Sequence, residues 1–345
     1  MRRLPIFFLL DVSESMIGDD LRNLEAGVGE IVQNLRADAH ALETVHLAVI
    51  GFAGKAKMLT PLMDLVSFYP PRLPVGSGTS LGAGLSVLMN EIDRCVVRRS
   101  PTVRGDYRPI VYLMTDGRPT DDVKPAIARW QQHYAKRVTL VAIAMGEQAD
   151  LSVLQQLTQH VMVFSKENSG DFAAVVRWVS MSISVQSQAV DSGTVNLAKP
   201  TQGIMELLQG DLARTGIDER VVVLQGKCQK TKQPYLLKFA QVATVPGMRV
   251  PGGLFGMVGS FAVGAEYHEW SDPGMLNPTI NTDRLVGGAP CPHCSNRYAF
   301  ATCACGGLHC VAGDGEASCP WCQKIGNYGC AAEDQPGSEV ARGLG

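Results

Sequence analysis

The sequence lacks the features that mark membrane and nucleic-acid-binding proteins. No apolar run approaches the ~20 residues that a transmembrane helix needs. The short apolar run at residues 4–10 ends at Asp11 and has no small-residue cleavage site, so we predict a first strand rather than a signal peptide. The charges nearly cancel, with a net charge of −2, which gives nucleic acid no electrostatic attraction. We therefore expect a cytoplasmic protein that does not enter a membrane.

Sharp catalytic motifs are missing as well. The glycine-rich segment 76–80 lacks the Gly-Lys-Ser/Thr ending of a phosphate-binding loop, although a phosphate on its backbone amides stays a weaker alternative. The seven histidines are scattered, and no Cys-His or Ser-His pair stands at a recognisable spacing. The sequence therefore favours binding over turnover, and we expect no enzymatic activity.

The ten cysteines are concentrated at one end of the chain, with eight of them between positions 291 and 330. In a cytoplasmic protein, cysteines are thiols or metal ligands rather than disulfides. A length of 345 residues with 46% hydrophobic residues predicts at least two domains with cores of their own.

A group of oxygen-bearing side chains follows the first predicted strand. Asp11, Ser13 and Ser15 alternate, so in an extended segment they point the same way. Carboxylate and hydroxyl oxygens suit Mg²⁺ or Mn²⁺. An EF-hand calcium loop is excluded, because Met16 and Arg22 stand where it needs Gly and Glu. Ordinary turn and cap residues remain the alternative interpretation of these three alone.

Two further segments favour the metal site. Thr79 stands where the glycine-rich loop opens a helical pattern, and Asp116 directly follows the predicted strand 109–114. Strand and helix signals alternate through the first half of the chain, which predicts a doubly wound, mostly parallel α/β sheet of the Rossmann-like kind. In such sheets ligands bind at the carboxyl ends of the strands, where Asp11 and Asp116 both lie.

These motifs together resemble the von Willebrand factor A domain family over residues 4–187. The resemblance implies a metal-ion-dependent adhesion site in which Asp11, Ser13, Ser15, Thr79 and Asp116 surround one divalent ion, Mg²⁺ or Mn²⁺. It also implies an open coordination position that an acidic residue of a partner protein fills. A hard cation readily accepts a carboxylate oxygen in such a position.

The second half of the sequence changes character. We predict an A domain over residues 1–188, a linker over 189–203, a small β-rich module over 204–283, a zinc ribbon over 284–330 and a flexible tail over 331–345. The strand signals of the module lie at 221–227, 235–240 and 254–263. A hairpin is predicted within the ribbon, from strands at 298–302 and 308–312.

Two Cys-x-x-Cys knuckles frame the ribbon and predict a tetrahedral Zn²⁺ site. Its four ligands would be Cys291, Cys294, Cys319 and Cys322. A second site could use Cys303, Cys305 and Cys310 with His309 or Cys330, and another pairing that shares ligands with the first site stays open.

Two cysteines stand apart from these motifs. Cys95 and Cys228 are interpreted as ordinary buried residues.

The complete arrangement resembles the TerY-type proteins of bacterial tellurium-resistance systems, whose metal-binding domain carries a Cys-x-Cys-Gly element as Cys303 to Gly306 do here. That resemblance implies a cytoplasmic, non-enzymatic adaptor in a stress response, with a protein kinase and a metal-dependent protein phosphatase as partners.

Two other functions are weighed against this one. The first is a metal-dependent phosphoester hydrolase that uses the Asp11 site. The second is a nucleic-acid-binding zinc ribbon, which is disfavoured because residues 291–330 hold only Arg297 and Lys324 as basic residues.

Overall fold

The computed structural model describes residues 2–116, 118–145, 150–164, 171–188, 197–198, 206–207, 220–242, 253–272, 278–329 and 337–343. The chain divides into two compact units. The first contains residues 1–74 and 79–216, and the second contains residues 75–78 and 217–345. Among the described helices, none combines the length and apolar character required to span a membrane.

Strands and helices alternate in the first unit, as the sequence pattern predicts. Its strands are β1 (Leu4–Asp11), β2 (Val45–Phe52), β3 (Ala56–Asp64), β4 (Ile110–Thr115), β5 (Thr139–Met145), β6 (Val161–Phe164) and β7 (Glu206–Leu207). Its helices are α1 (Asp19–Arg36), α2 (Ala39–Thr44), α3 (Leu81–Cys95), α4 (Lys124–His133), α5 (Leu151–Leu157) and α6 (Asp171–Gln188). A short 3₁₀ turn, Glu14–Met16, links β1 to α1.

The strands of the first unit form a seven-stranded sheet in the order β3-β2-β1-β4-β5-β6-β7. The five central strands are parallel, and β3 and β7 join the edges antiparallel. The order reverses at β1, which has β2 on one side and β4 on the other. This reversal opens a crevice at the carboxyl ends of β1 and β4, the usual ligand position in such sheets.

Helices cover both faces of this sheet. Helices α1, α2 and α6 pack together, and α3, α4 and α5 form the other group. The strands β1, β4 and β5 are buried along their whole length because both of their faces meet helices. Trp130 on α4 is fully buried, and its indole N–H donates to the Leu157 carbonyl on α5 at 3.1 Å. This packing holds the ends of β1 and β4 in fixed positions.

The second unit is rich in short strands. They are β8 (Val221–Lys227), β9 (Pro234–Gln241), β10 (Phe255–Ala262), β11 (Thr279–Asn281), β12 (Leu285–Val286), β13 (Tyr298–Thr302), β14 (Leu308–Val311), β15 (Gly315–Ser318), β16 (Ile325–Tyr328) and β17 (Glu339–Ala341). One helix, α7 (Glu266–Trp270), and a 3₁₀ turn, Thr282–Arg284, complete its described elements.

The domain boundaries predicted for the second half need a correction. The six-stranded sheet of this unit has the order β12-β10-β9-β8-β14-β13, so strands of the predicted 204–283 module and of the predicted 284–330 ribbon share one sheet. The strands of the two predicted modules are connected by the parallel pairing of β8 with β14. Both parts also contribute to one hydrophobic core, in which Tyr235 donates its hydroxyl to the Ala299 carbonyl. The two predicted modules are therefore one folded unit.

The flexible tail predicted over 331–345 also needs a correction. Strand β17 pairs antiparallel with β11, and Val340 is buried. Arg342 donates to the Val221 carbonyl at 3.0 Å. Residues 337–343 are therefore part of the unit, since these contacts satisfy their backbone and bury an apolar side chain. The predicted linker, 189–203, lies outside the described residues except for 197–198.

Candidate metal centres

The oxygen-bearing side chains predicted as an adhesion site converge at the crevice between β1 and β4. Asp11 is the last residue of β1, and Asp116 directly follows β4. The Ser13 and Ser15 hydroxyls lie 2.9 Å apart, and Ser15 donates to the Asp116 carboxylate at 2.9 Å. The Ser13 N–H donates to the Asp11 carboxylate at 2.9 Å. The parallel pairing of β1 with β4 brings the two acids together from positions far apart in the sequence.

Thr79 joins this group through its backbone. Its N–H donates to the Thr120 hydroxyl at 2.8 Å, and its carbonyl accepts from the Thr120 N–H at 3.0 Å. The next residue, Ser80, donates its N–H to the Ala53 carbonyl just past β2. These bonds hold Thr79 beside the carboxyl end of β2, which neighbours Asp11 in the sheet.

The Thr79 hydroxyl is buried and has no hydrogen-bond partner. A buried polar atom without a partner is costly unless an ion or water binds it. Asp11 and Asp116 are also buried, and burial together with the neighbouring Asp116 charge raises the pKa of Asp11 to about 7. A divalent cation would offset both the unpaired hydroxyl and the repulsion between the acids, so these residues fit a hard metal ion.

Two residues that sequence reasoning did not single out position this site. Thr115 donates its hydroxyl to the Asp11 carboxylate at 2.5 Å, which fixes that side chain. Thr120 holds the backbone of Thr79, as described above. Thr115 could have been predicted, because β1 ends at Asp11 and Thr115, at the end of β4, directly precedes Asp116. Thr120 has no such signal, since its role depends on how its loop folds back.

The cysteines form two clusters in the second unit. The inner cluster is defined by Cys228, Cys291, Cys294 and Cys310. The outer cluster is defined by Cys303, Cys305, Cys319 and Cys322. Within each cluster all four sulfurs lie within 4.8 Å of one another.

This division corrects the predicted ligand pairing. The two knuckles do not share a cage: Cys291 and Cys294 belong to the inner cluster, while Cys319 and Cys322 belong to the outer one. The reason is the placement of β14, which carries Cys310 into the sheet beside β8 and away from Cys303 and Cys305.

Two other cysteine interpretations change with it. Cys228, interpreted from the sequence as an ordinary buried residue, completes the inner cluster. Cys330 lies outside the described residues.

His309, predicted as a possible ligand, belongs to neither cluster. It is fully buried, with Nδ1 3.1 Å from the Cys310 carbonyl. Its ring packs edge-to-face on Tyr328, with the ring centroids 4.7 Å apart. The structure therefore gives His309 a packing role in place of the predicted metal-binding one.

Three cysteines begin turns with the same backbone hydrogen bonds. In each turn the cysteine N–H donates to the carbonyl five residues later, and the cysteine carbonyl accepts from the N–H four residues later. The turns begin at Cys228, Cys291 and Cys319. The fourth residue after each cysteine has a left-handed backbone, at Lys232, Ser295 and Gln323. Cys228 thus begins a knuckle in which Thr231 occupies the position of the second cysteine.

The sulfur separations fit tetrahedral metal sites. Four thiolates at the usual zinc–sulfur distance of about 2.3 Å would lie about 3.8 Å apart. The observed separations are 3.6 Å for Cys294 and Cys310, 3.7 Å for Cys303 and Cys322, and 3.8 Å for Cys305 and Cys319. These pairs are not disulfide-bonded in this structure, since a sulfur–sulfur bond is about 2.05 Å long.

Backbone N–H groups stabilise thiolates in both clusters. Gln229 donates its N–H to the Cys310 sulfur at 3.2 Å, and Trp321 donates to Cys319 at 3.4 Å. In the outer cluster the Cys305 N–H is the largest of several hydrogen bonds that lower the pKa of Cys303 to about 6, whereas burial raises the pKa of Cys310 and of Cys319 despite their N–H donors. Such bonds orient metal ligands and favour their charged form.

Comparisons with known proteins agree with both units. A sequence model of the von Willebrand factor type A domain matches residues 6–177, and one of the TerY-C metal binding domain matches residues 218–345. The chain therefore pairs a von Willebrand factor type A domain with a TerY-C metal-binding domain. This confirms the TerY-type architecture predicted from the sequence. The second match, over residues 218–345, covers the β-rich part and the cysteine-rich part of the second unit together.

Solved structures of other proteins also match parts of this chain. A von Willebrand factor type A protein from Catenulispora acidiphila is 16% identical, with 81% of this chain and 60% of that chain covered and a TM-score of 0.42. Proximal thread matrix protein 1 from the mussel byssus is 21% identical, with 53% of this chain and 48% of that chain covered and a TM-score of 0.41.

Another structure of the byssus protein is described as having a zinc-occupied MIDAS motif. It is 21% identical to this chain, with 52% of this chain and 46% of that chain covered and a TM-score of 0.38. The chain spans about half the length of the byssus protein. No curated protein matches it significantly.

Proposed function

We propose that this protein is a non-enzymatic adaptor that binds a partner protein through a divalent cation in its A domain. Asp11, Ser13, Ser15, Thr79 and Asp116 would hold the cation. A carboxylate of the partner would fill the open coordination position, because a hard divalent cation accepts carboxylate oxygens readily. The observation that carries this proposal is the buried, unpartnered hydroxyl of Thr79 beside two buried acids.

The ligand chemistry of the two domains differs, and so do the proposed metals. The A-domain site offers carboxylate and hydroxyl oxygens, which favour Mg²⁺ or Mn²⁺. The inner and outer clusters each offer four sulfurs at tetrahedral spacing, which favours Zn²⁺. We propose one zinc ion in each cluster.

Binding is proposed in preference to hydrolysis. The sequence carries no Cys-His or Ser-His pair at a recognisable spacing and no nucleotide-binding loop, so it offers no recognised hydrolytic motif beside the Asp11 site. Hydrolysis of a phosphoester by the pure protein, lost in the Asp11→Ala variant, would overturn this part of the proposal.

The cellular setting is proposed from the TerY-C match and from the resemblance of the whole chain. We place the protein in the cytoplasm, in a bacterial tellurite or stress response. Its partners would be a protein kinase and a metal-dependent protein phosphatase. Either enzyme could present an acidic surface residue to the A-domain cation.

The experiment that tests the function is capture of partners by the full chain, loaded with zinc, with and without added Mg²⁺. We expect the kinase or the phosphatase to be identified in the captured material by mass spectrometry. Capture should require Mg²⁺ and should be lost in Asp116→Ala. The matched control is Asp122→Ala, which removes an exposed carboxylate six residues further along the same loop. Equal capture without Mg²⁺, or by Asp116→Ala, would contradict the proposal.

A further inference from the structure

The two cysteine clusters differ in their access to solvent. In the inner cluster, Cys228 and Cys310 are fully buried, and Cys291 is 2% exposed. These three cysteines are also part of the hydrophobic core of the second unit. The fourth inner cysteine, Cys294, is half-buried. In the outer cluster, Cys305 is exposed, Cys303 and Cys322 are half-buried, and Cys319 is fully buried. Reagents in water therefore reach the outer cluster more easily than the inner one.

The clusters also differ in the chain segments that they join. The inner cluster connects the turn between β8 and β9, at Cys228, to a knuckle more than sixty residues later and to β14. The outer cluster lies within residues 303–322 and joins the turn between β13 and β14 to the knuckle between β15 and β16. A metal ion in the inner cluster would thus connect distant segments of the sheet. One in the outer cluster would connect only nearby segments within residues 303–322.

Both clusters contain closely spaced sulfurs, including Cys294 and Cys310 of the inner cluster at 3.6 Å, so solvent exposure and not sulfur spacing distinguishes the outer cluster. Cys303 and Cys322 are 3.7 Å apart, and Cys305 and Cys319 are 3.8 Å apart. Each pair could close to a disulfide after a movement of about 2 Å. The turn that carries Cys303 and Cys305 is exposed at Ala304 and Gly306, so close packing around these two residues does not oppose such a movement.

We propose that the outer cluster is a peroxide-sensitive zinc site, which releases its ion on oxidation while the inner cluster keeps its own. This inference rests on the proposed zinc occupancy of both clusters. Thiolate oxidation follows exposure, and buried structural cysteines are inert by comparison. The outer cluster would therefore report oxidants without loss of the domain core.

The oxidation balances with a peroxide as the oxidant. Two thiolates of one pair lose two electrons in total and form one sulfur–sulfur bond. One hydrogen peroxide molecule takes those electrons and two protons, its O–O bond breaks, and two water molecules form. With two of its four thiolates oxidised, the outer cluster would no longer hold a zinc ion. Oxidation of the second pair by a second peroxide molecule gives two disulfides in all.

Trp321 lies within the outer cluster's knuckle, so its fluorescence should respond to the loss of zinc from that cluster. It stands between Cys319 and Cys322 and donates its indole N–H to the Leu308 carbonyl at 2.7 Å. Gly307 leaves room for the ring, since a Cβ there would approach the indole to 2.4 Å. When the outer zinc leaves, the knuckle loses its anchor, and Trp321 fluorescence should change.

The experiment uses the full-length protein loaded with two zinc ions and treated with hydrogen peroxide. We expect one zinc ion per chain to be released roughly tenfold faster than the other, as measured with a zinc-binding dye and native mass spectrometry. Peptide mapping should find disulfides between Cys303 and Cys322 and between Cys305 and Cys319. Dithiothreitol with added zinc should restore the second ion and the original Trp321 fluorescence.

Two variants make the test specific. Cys305→Ser should hold one zinc ion and lose the fast phase, and its circular dichroism should match that of the parent protein. Cys95→Ser removes a thiol outside both clusters and should keep the fast phase unchanged. Release of both ions at one rate, or a fast phase that persists in Cys305→Ser, would overturn the inference. A chain that binds no zinc at all would instead refute the zinc assignment itself.

Discussion

The Thr79 hydroxyl oxygen lies in an environment that suits binding to a metal ion. It is buried and has no hydrogen-bond partner, while the Thr79 backbone is held firmly by Thr120. Leaving a buried hydroxyl unpaired costs about 1–3 kcal/mol. A cation that bound this oxygen would remove that cost. It would also offset the electrostatic repulsion between the carboxylates of Asp11 and Asp116.

The first prediction concerns Thr79→Val, which keeps the shape of the side chain and removes its oxygen. Without metal, the free energy of unfolding should stay within about 1 kcal/mol of the parent value, or rise, because the hydroxyl makes no hydrogen bond to lose. With saturating Mg²⁺, the parent A domain should gain about 2–3 kcal/mol at a concentration near one hundred times the dissociation constant. The variant should gain much less. Thermal unfolding at several Mg²⁺ concentrations measures both effects.

The control for this prediction is Thr139→Val. Thr139 is also buried with an unpartnered hydroxyl, but it begins β5 at the opposite, amino end of the strands. Its variant should respond to Mg²⁺ as the parent protein does. A Thr79→Val protein that Mg²⁺ stabilises as strongly as the parent would show that Thr79 is not a ligand.

The sequence allowed some of the candidate metal ligands to be predicted but not others. The alternation of Asp11, Ser13 and Ser15 after a strand carries its own geometry, so their convergence could be expected. Cys228 could not be assigned in this way, because Thr231 and not a cysteine stands three residues after it. Its signal is structural: its turn repeats the backbone of the knuckles at Cys291 and Cys319, with Thr231 in place of a cysteine.

At the scale of elements, Asp93 connects the carboxyl-terminal ends of α3 and α4. Its carboxylate accepts from Arg98 at 3.0 Å and from Arg137 at 2.8 Å, and it also accepts from the Tyr134 hydroxyl. Burial alone would raise the pKa of Asp93, but hydrogen bonds from Tyr134, Arg137 and Arg98 outweigh it and lower the pKa to about 2. The charged form of Asp93 is therefore favoured in the folded protein.

The second prediction follows from this shift. The folded-state pKa of Asp93 lies below its ordinary value of 3.8, so the stabilisation is present above about pH 4 and is lost as the pH falls toward 2. Asp93→Asn should lower the free energy of unfolding by about 1 kcal/mol at pH 7, after allowance for solvent screening. The difference between parent and variant should shrink by pH 3.

Urea unfolding of the A domain across this pH range measures the effect. Glu43→Gln, which changes an exposed carboxyl on α2, is the control and should track the parent at every pH. A stability difference for Asp93→Asn that does not depend on pH would show that the hydrogen bonds act through geometry and not through charge.

Secondary-structure elements could be predicted from the sequence where a single segment contains the whole pattern of apolar and polar residues. The strands predicted at 109–114 and 221–227 match β4 and β8 to within one residue. The parallel pairing of β8 with β14 is different, because it joins segments about eighty residues apart and involves only two residue pairs. No local pattern encodes such a contact, and the predicted boundary at 283/284 is wrong for that reason.

At the scale of the whole molecule, the two units have separate hydrophobic cores, and we propose that they bind different metals. The A domain has a large core of its own, formed by strands and helices without any cysteine ligand. The core of the second unit contains three cysteines of the inner cluster. Because a structural zinc ion contributes folding free energy directly, the second unit should depend on metal far more than the first.

The last prediction tests this dependence with Cys228→Ser in the full chain. Loss of one inner ligand should lower zinc affinity sharply and unfold the second unit, since zinc supplies about 10–16 kcal/mol in small zinc domains. Hydrogen exchange should then show fast exchange in β8 and β9, while β1 and β4 stay protected. Cys95→Ser, which changes a half-buried cysteine outside both clusters, should keep all four strands protected. Protected β8 and β9 in the Cys228→Ser protein would show that the sheet holds together without the inner zinc, because the rest of its hydrophobic core would then suffice.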